Sequence, residues 1–379
     1  MIIFASEFNT EAMNRRIFLK KSAGYAALLG LSPLLVGCRK GYYTAADFVG
    51  APKADAHFHY DTTDEAYLEY SNSLGMHLLS INVDGGGSID KQLEIVVALR
   101  NKYPGKLDFL GTFSVDDFGK DSFADQAIAR IERCMNLGAK GIKIWKNIGM
   151  VLQDEQGQYV MADHPAFAPV FTYLEKQGIP LTAHLGEPKS CWMPYEQMEV
   201  KGDANYYRQN PQYHMYQFPA LPSYEDQIVA RDHLLDRYPK LVFVGAHIGS
   251  QEWSLDEVAK RFDAYPNFYV DLAARMVYLY LHSVHDRQKL LSFLTTYQDR
   301  ILYGSDIGIS QRNPDRREQQ YANMKEAWLE QWRFLATDDR IPSNHFTSES
   351  APKELEGLQL PRKIVDKIFY DNTKHVFRI

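Results

Sequence analysis

From Lys53 onward the chain alternates short apolar runs of strand length with segments whose apolar residues recur at a helical period. That is the pattern of a parallel sheet with helices packed outside it. Strands are expected at 54–59, 77–84, 107–114, 141–145, 180–184, 241–247, 268–272 and 301–306. Helices are expected at 89–102, 123–137, 165–177, 224–238 and 255–262, the third capped by Asp163 and stopped by Gly178. Eight alternating units predict an α/β fold, a (β/α)8 TIM barrel, whose usual size is about 250 residues. The surplus must sit in insertions. The largest, 187–222, follows the fifth strand, shows no clear period and is rich in aromatic residues, among them Trp192, Tyr206, Tyr207, Tyr213 and Tyr216. A long loop at that end of a barrel strand lies at the catalytic mouth, so it reads either as a substrate lid or as an apolar cluster covering the barrel top. A second irregular stretch, 338–361, reads as peripheral wrapping.

Ahead of the barrel the pattern changes. Residues 14–21 read N-R-R-I-F-L-K-K, and an apolar stretch interrupted by Gly30 and Pro33 runs from there to Cys38. A spanning helix needs roughly 20 apolar residues, and this stretch falls short. Arg15-Arg16 with Phe18, Leu19 and Lys20 resembles a twin-arginine export signal, and Leu35-Val36-Gly37-Cys38 resembles a bacterial lipobox, in which the cysteine is lipidated and the chain is cut before it. The plainer reading is a short buried helix behind basic residues. The expected organisation is an export signal over 1–37, with Met13 as an alternative start, a tether over 38–52 and one barrel domain over 53–379. The protein is then periplasmic, or anchored to the bacterial envelope through lipidated Cys38.

Composition narrows the classes. With 45% hydrophobic and 24% charged residues, 24 Gly and 17 Pro, the chain is neither disordered, collagenous nor a coiled coil. The formal charge is −6, and residues 1–37 carry four basic and two acidic residues, so their loss leaves −8. An acidic protein offers no field for phosphate backbones, so nucleic acid is excluded as a partner and a small-molecule substrate is expected. The membrane enters only through the N-terminal anchor. Of three cysteines, Cys134 and Cys191 remain beside Cys38, too few for a disulfide framework.

The chemistry-bearing residues fall at strand ends. Side chains two apart on a strand share a face, so His57 and His59 in D-A-H-F-H project together from the first strand, a spacing at which two imidazoles can hold one metal. Lys143 lies in the fourth strand, His184 ends the fifth, His247 the sixth and Asp306 the eighth. Such groups at the ends of apolar strands are costly to bury without partners, and a metal repays that cost.

This ordered set resembles the amidohydrolase superfamily, in its amidohydrolase-related branch, which also holds metal-dependent decarboxylases. The likeness runs from K-A-D-A-H-F-H to the closing Y-D-N-T-K-H-V-F. The resemblance implies that His57, His59, His184 and Asp306 hold a divalent ion, zinc foremost, and that a bound water acidified from a pKa of about 15.7 toward 7 is the nucleophile. Asp306 would take the water's proton. His247 would ligate a second ion, or polarise the substrate and shuttle a proton. A carboxylated Lys143 would bridge two ions, or an unmodified Lys143 would pair with Asp306 or a substrate anion. The local G-A-K-G-I-K-I-W pattern resembles the mononuclear members and favours one ion. Arg275, after the seventh strand, reads as a receptor for a substrate carboxylate or phosphate, or as a surface ion pair. Trp192, His214 and Tyr216 of the insertion read as substrate contacts, and Glu187 as a residue orienting a ligand or capping the next segment. The expected function is hydrolysis of a small ester, lactone or amide. The alternatives are non-oxidative decarboxylation of an aromatic or unsaturated acid, and a non-catalytic ligand-binding envelope lipoprotein.

Overall fold

The computed structural model describes residues 41–85, 87–310 and 317–379. The export signal and lipidation site read at 1–38 lie outside them. A ring of short parallel strands forms the centre. The strands β1 (Lys53–Asp61), β2 (Met76–Ile81) and β3 (Leu107–Leu110) pair in chain order. So do β4 (Ile142–Ile144), β5 (Leu181–Ala183), β6 (Phe243–Gly245), β7 (Phe268–Asp271) and β8 (Ile301–Leu302). A bridge between Gly111 and Ile142 joins the two groups. Beyond β8 the chain leaves the ladder and resumes as β9 (Ile307–Ser310), parallel to β1. The barrel is thus (β/α)8 as expected. Its eighth strand, however, is broken in two, one half paired with β7 and the other with β1.

The helices outside the ring follow from cap and period. Ser88 accepts from the Lys91 amide and starts Ile89–Lys102, which buries Leu93, Val96 and Leu99 at helical spacing. Phe123–Asn136 buries Phe123, Ala127, Ile131 and Cys134 in the same way. A capping box between Ser223 and Asp226 opens Tyr224–Arg237, and Ser254 opens Leu255–Ala264. Gly178, at φ 63°, ends Ala168–Gln177 as predicted. Asp163 does not cap the turn that leads into that helix: His164 does, accepting from the Ala166 amide, while Asp163 pairs with His233. Three helices carry no clear period in the sequence: Ala66–Ser73, Met276–Thr296 and Arg317–Ala336. The insertion over 187–222 is more ordered than its sequence suggests. It contains the helix Lys201–Gln209 and a small core of Cys191, Met198, Ala204 and Tyr207. The stretch at 338–361 holds an antiparallel pair, β10 (Arg340–Pro342) and β11 (Glu354–Glu356).

Apolar burial is divided between the shell under the helices and a smaller cluster inside the ring. The inner cluster joins Ala56, Leu79, Ile81, Leu110, Val244 and Leu302 to Val376 and Phe377 of the C-terminal helix Asn372–Phe377. The register of β1 against β2 shifts between Asp55 and Phe58. Strict alternation would put Asp55 and His57 on one face. Instead Asp55 Oδ2 accepts from Nε1 of Trp328, in the outer helix Arg317–Ala336, while Ala56 packs in the inner cluster. Re-aiming a side chain beside a site is a common use of such a shift. Asp55 Oδ1 accepts from the Ser305 and His57 amides at 2.9 and 3.2 Å, so one buried carboxylate ties the outer helix, β1 and the break after β8 together.

This clamp has a pH signature. Burial raises the Asp55 carboxyl to about 6, against the pull of its three donors. The unfolded carboxyl titrates near 3.9, so between roughly 4 and 6 the folded protein holds the proton more tightly and stability falls as pH rises. Removing the indole donor in Trp328→Phe leaves the carboxylate short of a partner, an expected loss of about 1–3 kcal/mol. The loss should be greater at pH 8 than at pH 5 in urea unfolding, and equal losses at both would separate Trp328 from the ionisation of Asp55.

Candidate metal centre

Three side chains meet at the C-terminal ends of β1 and β8. His57 Nε2 and His59 Nε2 lie 3.3 and 3.2 Å from the same oxygen of Asp306, Oδ1. One donor atom from each of the three lies within 4.8 Å of the others. What each imidazole does with its other nitrogen fixes the character of the cluster. His59 Nδ1 lies 3.0 Å from the Ile81 carbonyl, which can only accept, so Nδ1 carries a hydrogen, and in the neutral ring Nε2 presents a lone pair. His57 Nδ1 lies 2.8 Å from Asp271 Oδ2 with the same consequence. His57 is 1% exposed, and burial, helped by the charge of Lys143, lowers its pKa. With both rings neutral, the cluster sets two imidazole lone pairs against a carboxylate oxygen with no hydrogen between them. Such an arrangement repels unless a cation occupies it, and two imidazoles with a carboxylate suit a divalent ion.

His184 and His247 continue the group. The Ala273 carbonyl takes the Nδ1 hydrogen of His247 at 2.9 Å. His247 Nε2 is then the acceptor for His184 Nδ1 at 3.1 Å, which leaves His184 Nε2 bare, buried and without a hydrogen-bond partner. Burial drives both well below the ordinary histidine pKa, so both are neutral. His184 was expected beside His57, His59 and Asp306, yet its donor atoms fall outside that trio. Its ring packs on His247 at 4.1 Å between centroids, and His247 packs on His57 at 4.9 Å. Lys143 is fully buried in β4, and its Nζ has no partner. Burial lowers it to about 8, against the charges of Asp271 and Asp306.

Backbone strain gathers at the same place. Asp306 has φ 65°, and its amide donates to the His57 carbonyl across the barrel seam at 2.8 Å. After β6 the chain passes through four consecutive left-handed residues, with φ of 60° at His247, 58° at Ile248, 60° at Gly249 and 56° at Ser250. A β-branched residue there is strongly disfavoured. The turn is held by the His247 amide on Asp271 Oδ1, the Ser250 hydroxyl on the Leu185 carbonyl, and Tyr224 on the Ser250 carbonyl. Gly245 must lack a side chain, since a Cβ would come within 2.8 Å of the Gly249 Cα.

Asp271 stands at the hub of this network and was not singled out in the sequence. Its two oxygens serve His57, the His247 amide and the Ala273 amide. Burial alone would raise its carboxyl, but the neighbouring His57 more than offsets that and brings it to about 2. An acidic residue closing an apolar strand, F-Y-V-D, was the available signal.

The insertion residues lie elsewhere. His214 is 0% exposed, donates to the Met193 carbonyl, accepts from Gln217 and stacks on Tyr207 at 5.3 Å. Both of its nitrogens are spent inside the insertion, so it is a core residue and offers nothing to a substrate. Trp192 donates to the Pro222 carbonyl and packs edge-on against Tyr224, while Tyr216 is 53% exposed. No hydrogen bond or ring contact among the described residues joins these three to the histidines. Glu187 is ion-paired with Lys146 and lies 3.9 Å from His184 Nε2. Arg275 is buried rather than in a surface ion pair.

A family model described as Amidohydrolase matches residues 113–379, well over half the chain. The match begins beyond β1, so His57 and His59 lie outside it. No curated protein matches the chain. Among solved structures, a TIM-barrel protein of Bordetella bronchiseptica is similar at 15% identity and TM-score 0.50, over 86% of this chain and 98% of that one. A 2,6-dihydroxybenzoate decarboxylase from Rhizobium has 16% identity and TM-score 0.48 over 86% and 99%. A dihydroorotase from Saccharomyces cerevisiae has 12% identity and TM-score 0.40 over 82% and 95%. The first of these likenesses supports the barrel fold. On the family match, the chain belongs to the amidohydrolase family, whose members generally bind a divalent metal.

Proposed function

We propose that the protein is a metal-dependent hydrolase of a small ester, lactone or amide. The observation that carries this reading is the convergence of the His57 and His59 lone pairs on Asp306. His57, His59 and Asp306 would hold one ion, with His184 completing the set through its bare Nε2 after a small turn of its ring. Bound there, a divalent ion, zinc foremost for this donor set, supplies a Lewis acid that brings a water from a pKa of about 15.7 to about 7. Asp306 is the proton acceptor. Its Oδ1 lies against Nε2 of both His57 and His59, where it would receive the proton of the attacking water. It later hands that proton to the leaving group. His247, fixed by the Ala273 carbonyl and neutral, keeps an Nε2 lone pair that would take up and pass on a proton during the reaction once His184 has turned away. Asp271 holds His57 in the tautomer that leaves Nε2 free. Lys143, on the inner face of β4, supplies a positive charge beside Asp306, and the reading needs only one ion.

Two measurements test this. Wild-type protein should bind about one equivalent of zinc, and Asp306→Asn should retain its fold while losing roughly a hundred- to ten-thousand-fold in turnover of an ester and lactone panel. Release of carbon dioxide from a carboxylate panel, with no hydrolysis, would instead favour decarboxylation, and ligand binding without turnover a binding protein. We also propose export through the Arg15-Arg16 signal and anchoring at Cys38. Cys38→Ser should then move the protein from the membrane fraction of a bacterial host to the soluble fraction, and an unchanged distribution would remove the anchor.

A further inference from the structure

The register of β4 against β5 divides the barrel mouth in two. The strands pair Ile142 with Leu181, Lys143 with Thr182 and Ile144 with Ala183. Ile142, Ile144, Leu181 and Ala183 all pack in the outer shell, so Lys143 and Thr182 face inward. The His184 amide donates to the Ile144 carbonyl and carries the ladder one step further, which sets Trp145 and His184 side by side on the inner face at the level of the mouth.

From this shared level the two rings part. His184 packs on His247, toward β6 and the metal cluster. Trp145 goes the other way, past β3 to the end of β2, where a Cβ placed on Gly85 would lie 3.5 Å both from the benzo ring of the indole and from Val83. Val83 in turn packs on the inner cluster. The imidazoles and Asp306 thus hold the sector of β1, β5, β6 and β8, while the indole spans the sector from β2 to β4. Asp84, beside Val83, spends Oδ2 on the Val115 amide and the Asn147 side chain. Lys146 Nζ lies 5.6 Å from the indole centroid and is ion-paired with Glu187. Trp328 and Trp332 show what a core indole looks like here, at 0% exposure, whereas Trp145 is only partly buried. A large, rigid, flat apolar surface left partly in water next to reacting groups asks for a ring to lie against it.

We propose that Trp145 is a specificity-determining residue that receives an aryl group of the substrate, so that the bond cleaved in the histidine sector belongs to an aryl ester, lactone or amide. The bond cleaved rests on the hydrolase reading, whereas the aryl site does not. Fluorine NMR on the full chain tests it, with 5-fluorotryptophan at the five tryptophan positions. The resonance lost in Trp145→Phe identifies that of Trp145. Benzamide should move it and leave those of Trp328 and Trp332 in place, and acetamide should move none. Titrated by calorimetry, benzamide should bind more tightly than cyclohexanecarboxamide. Trp145→Ala should weaken benzamide about threefold to tenfold, and Trp145→Phe, which keeps a smaller ring, by less. Trp145→Phe carries the comparison if the alanine variant does not fold. A Trp145 resonance that benzamide leaves still, or that acetamide moves as far, overturns the proposal. So does benzamide binding that is equal in wild type and both variants, or no tighter than that of cyclohexanecarboxamide. Trp145-dependent benzamide binding with no turnover of any ester, lactone or amide sinks the hydrolase reading and leaves this one standing.

Discussion

Lone pairs do not gather without a reason, and the mouth of this barrel is built to gather them. A carbonyl oxygen can only accept, so Ile81 and Ala273 dictate where the hydrogens of His59 and His247 lie, and the Asp271 carboxylate does the same for His57. Each choice turns an Nε2 lone pair away from the barrel wall. Burial then disfavours protonating the rings of His57, His184 and His247, and the charge of Lys143 adds to this at His57 and His184. Second contacts of this kind set ligand basicity as much as ligand identity does.

Holding such a cluster costs backbone freedom. His247, Ile248, Ala274 and Asp306 all adopt left-handed conformations, and all stand within a residue or two of a hydrogen bond that locks the cluster. Each such residue costs of order 1–3 kcal/mol and persists only where its surroundings over-determine it. The ladders and helices around the ring provide that rigidity. The apolar interior cluster, sealed by Val376 and Phe377, keeps the strand ends from relaxing inward.

Strand ends were the most legible part of the sequence, because an isolated polar residue closing an apolar run stands out at any register. His57, His59, His247 and Asp306 all emerged that way, as did Lys143 and His184. The shift in β1 was not legible: D-A-H-F-H alternates perfectly on paper, and only pairing with β2 shows Asp55 and His57 on different faces. Helix Met276–Thr296 hid for a different reason. Its first turns are apolar on nearly every side, burying Met276, Tyr278, Leu279, Tyr280 and Leu281 in succession, and a run of that kind has no period to read. His214 illustrates the converse error. An aromatic, histidine-bearing loop near a barrel mouth suggests ligand contacts, yet its rings satisfy one another and leave little facing outward.

The break in the eighth strand gives the barrel a seam. β8 belongs to the ladder of β7 and β9 to that of β1, and Asp306 sits where the chain crosses from one to the other. An ion gripped by β1 through His57 and His59 and by the crossing through Asp306 would therefore rivet the two edges of the sheet. Occupancy and closure then become one equilibrium, and the folded barrel gains stability with the logarithm of free metal concentration. A chain of this design would be sturdiest if it acquired its ion before it had to work, and on the proposed reading metal supply would set not only how fast it turns over but how long it lasts.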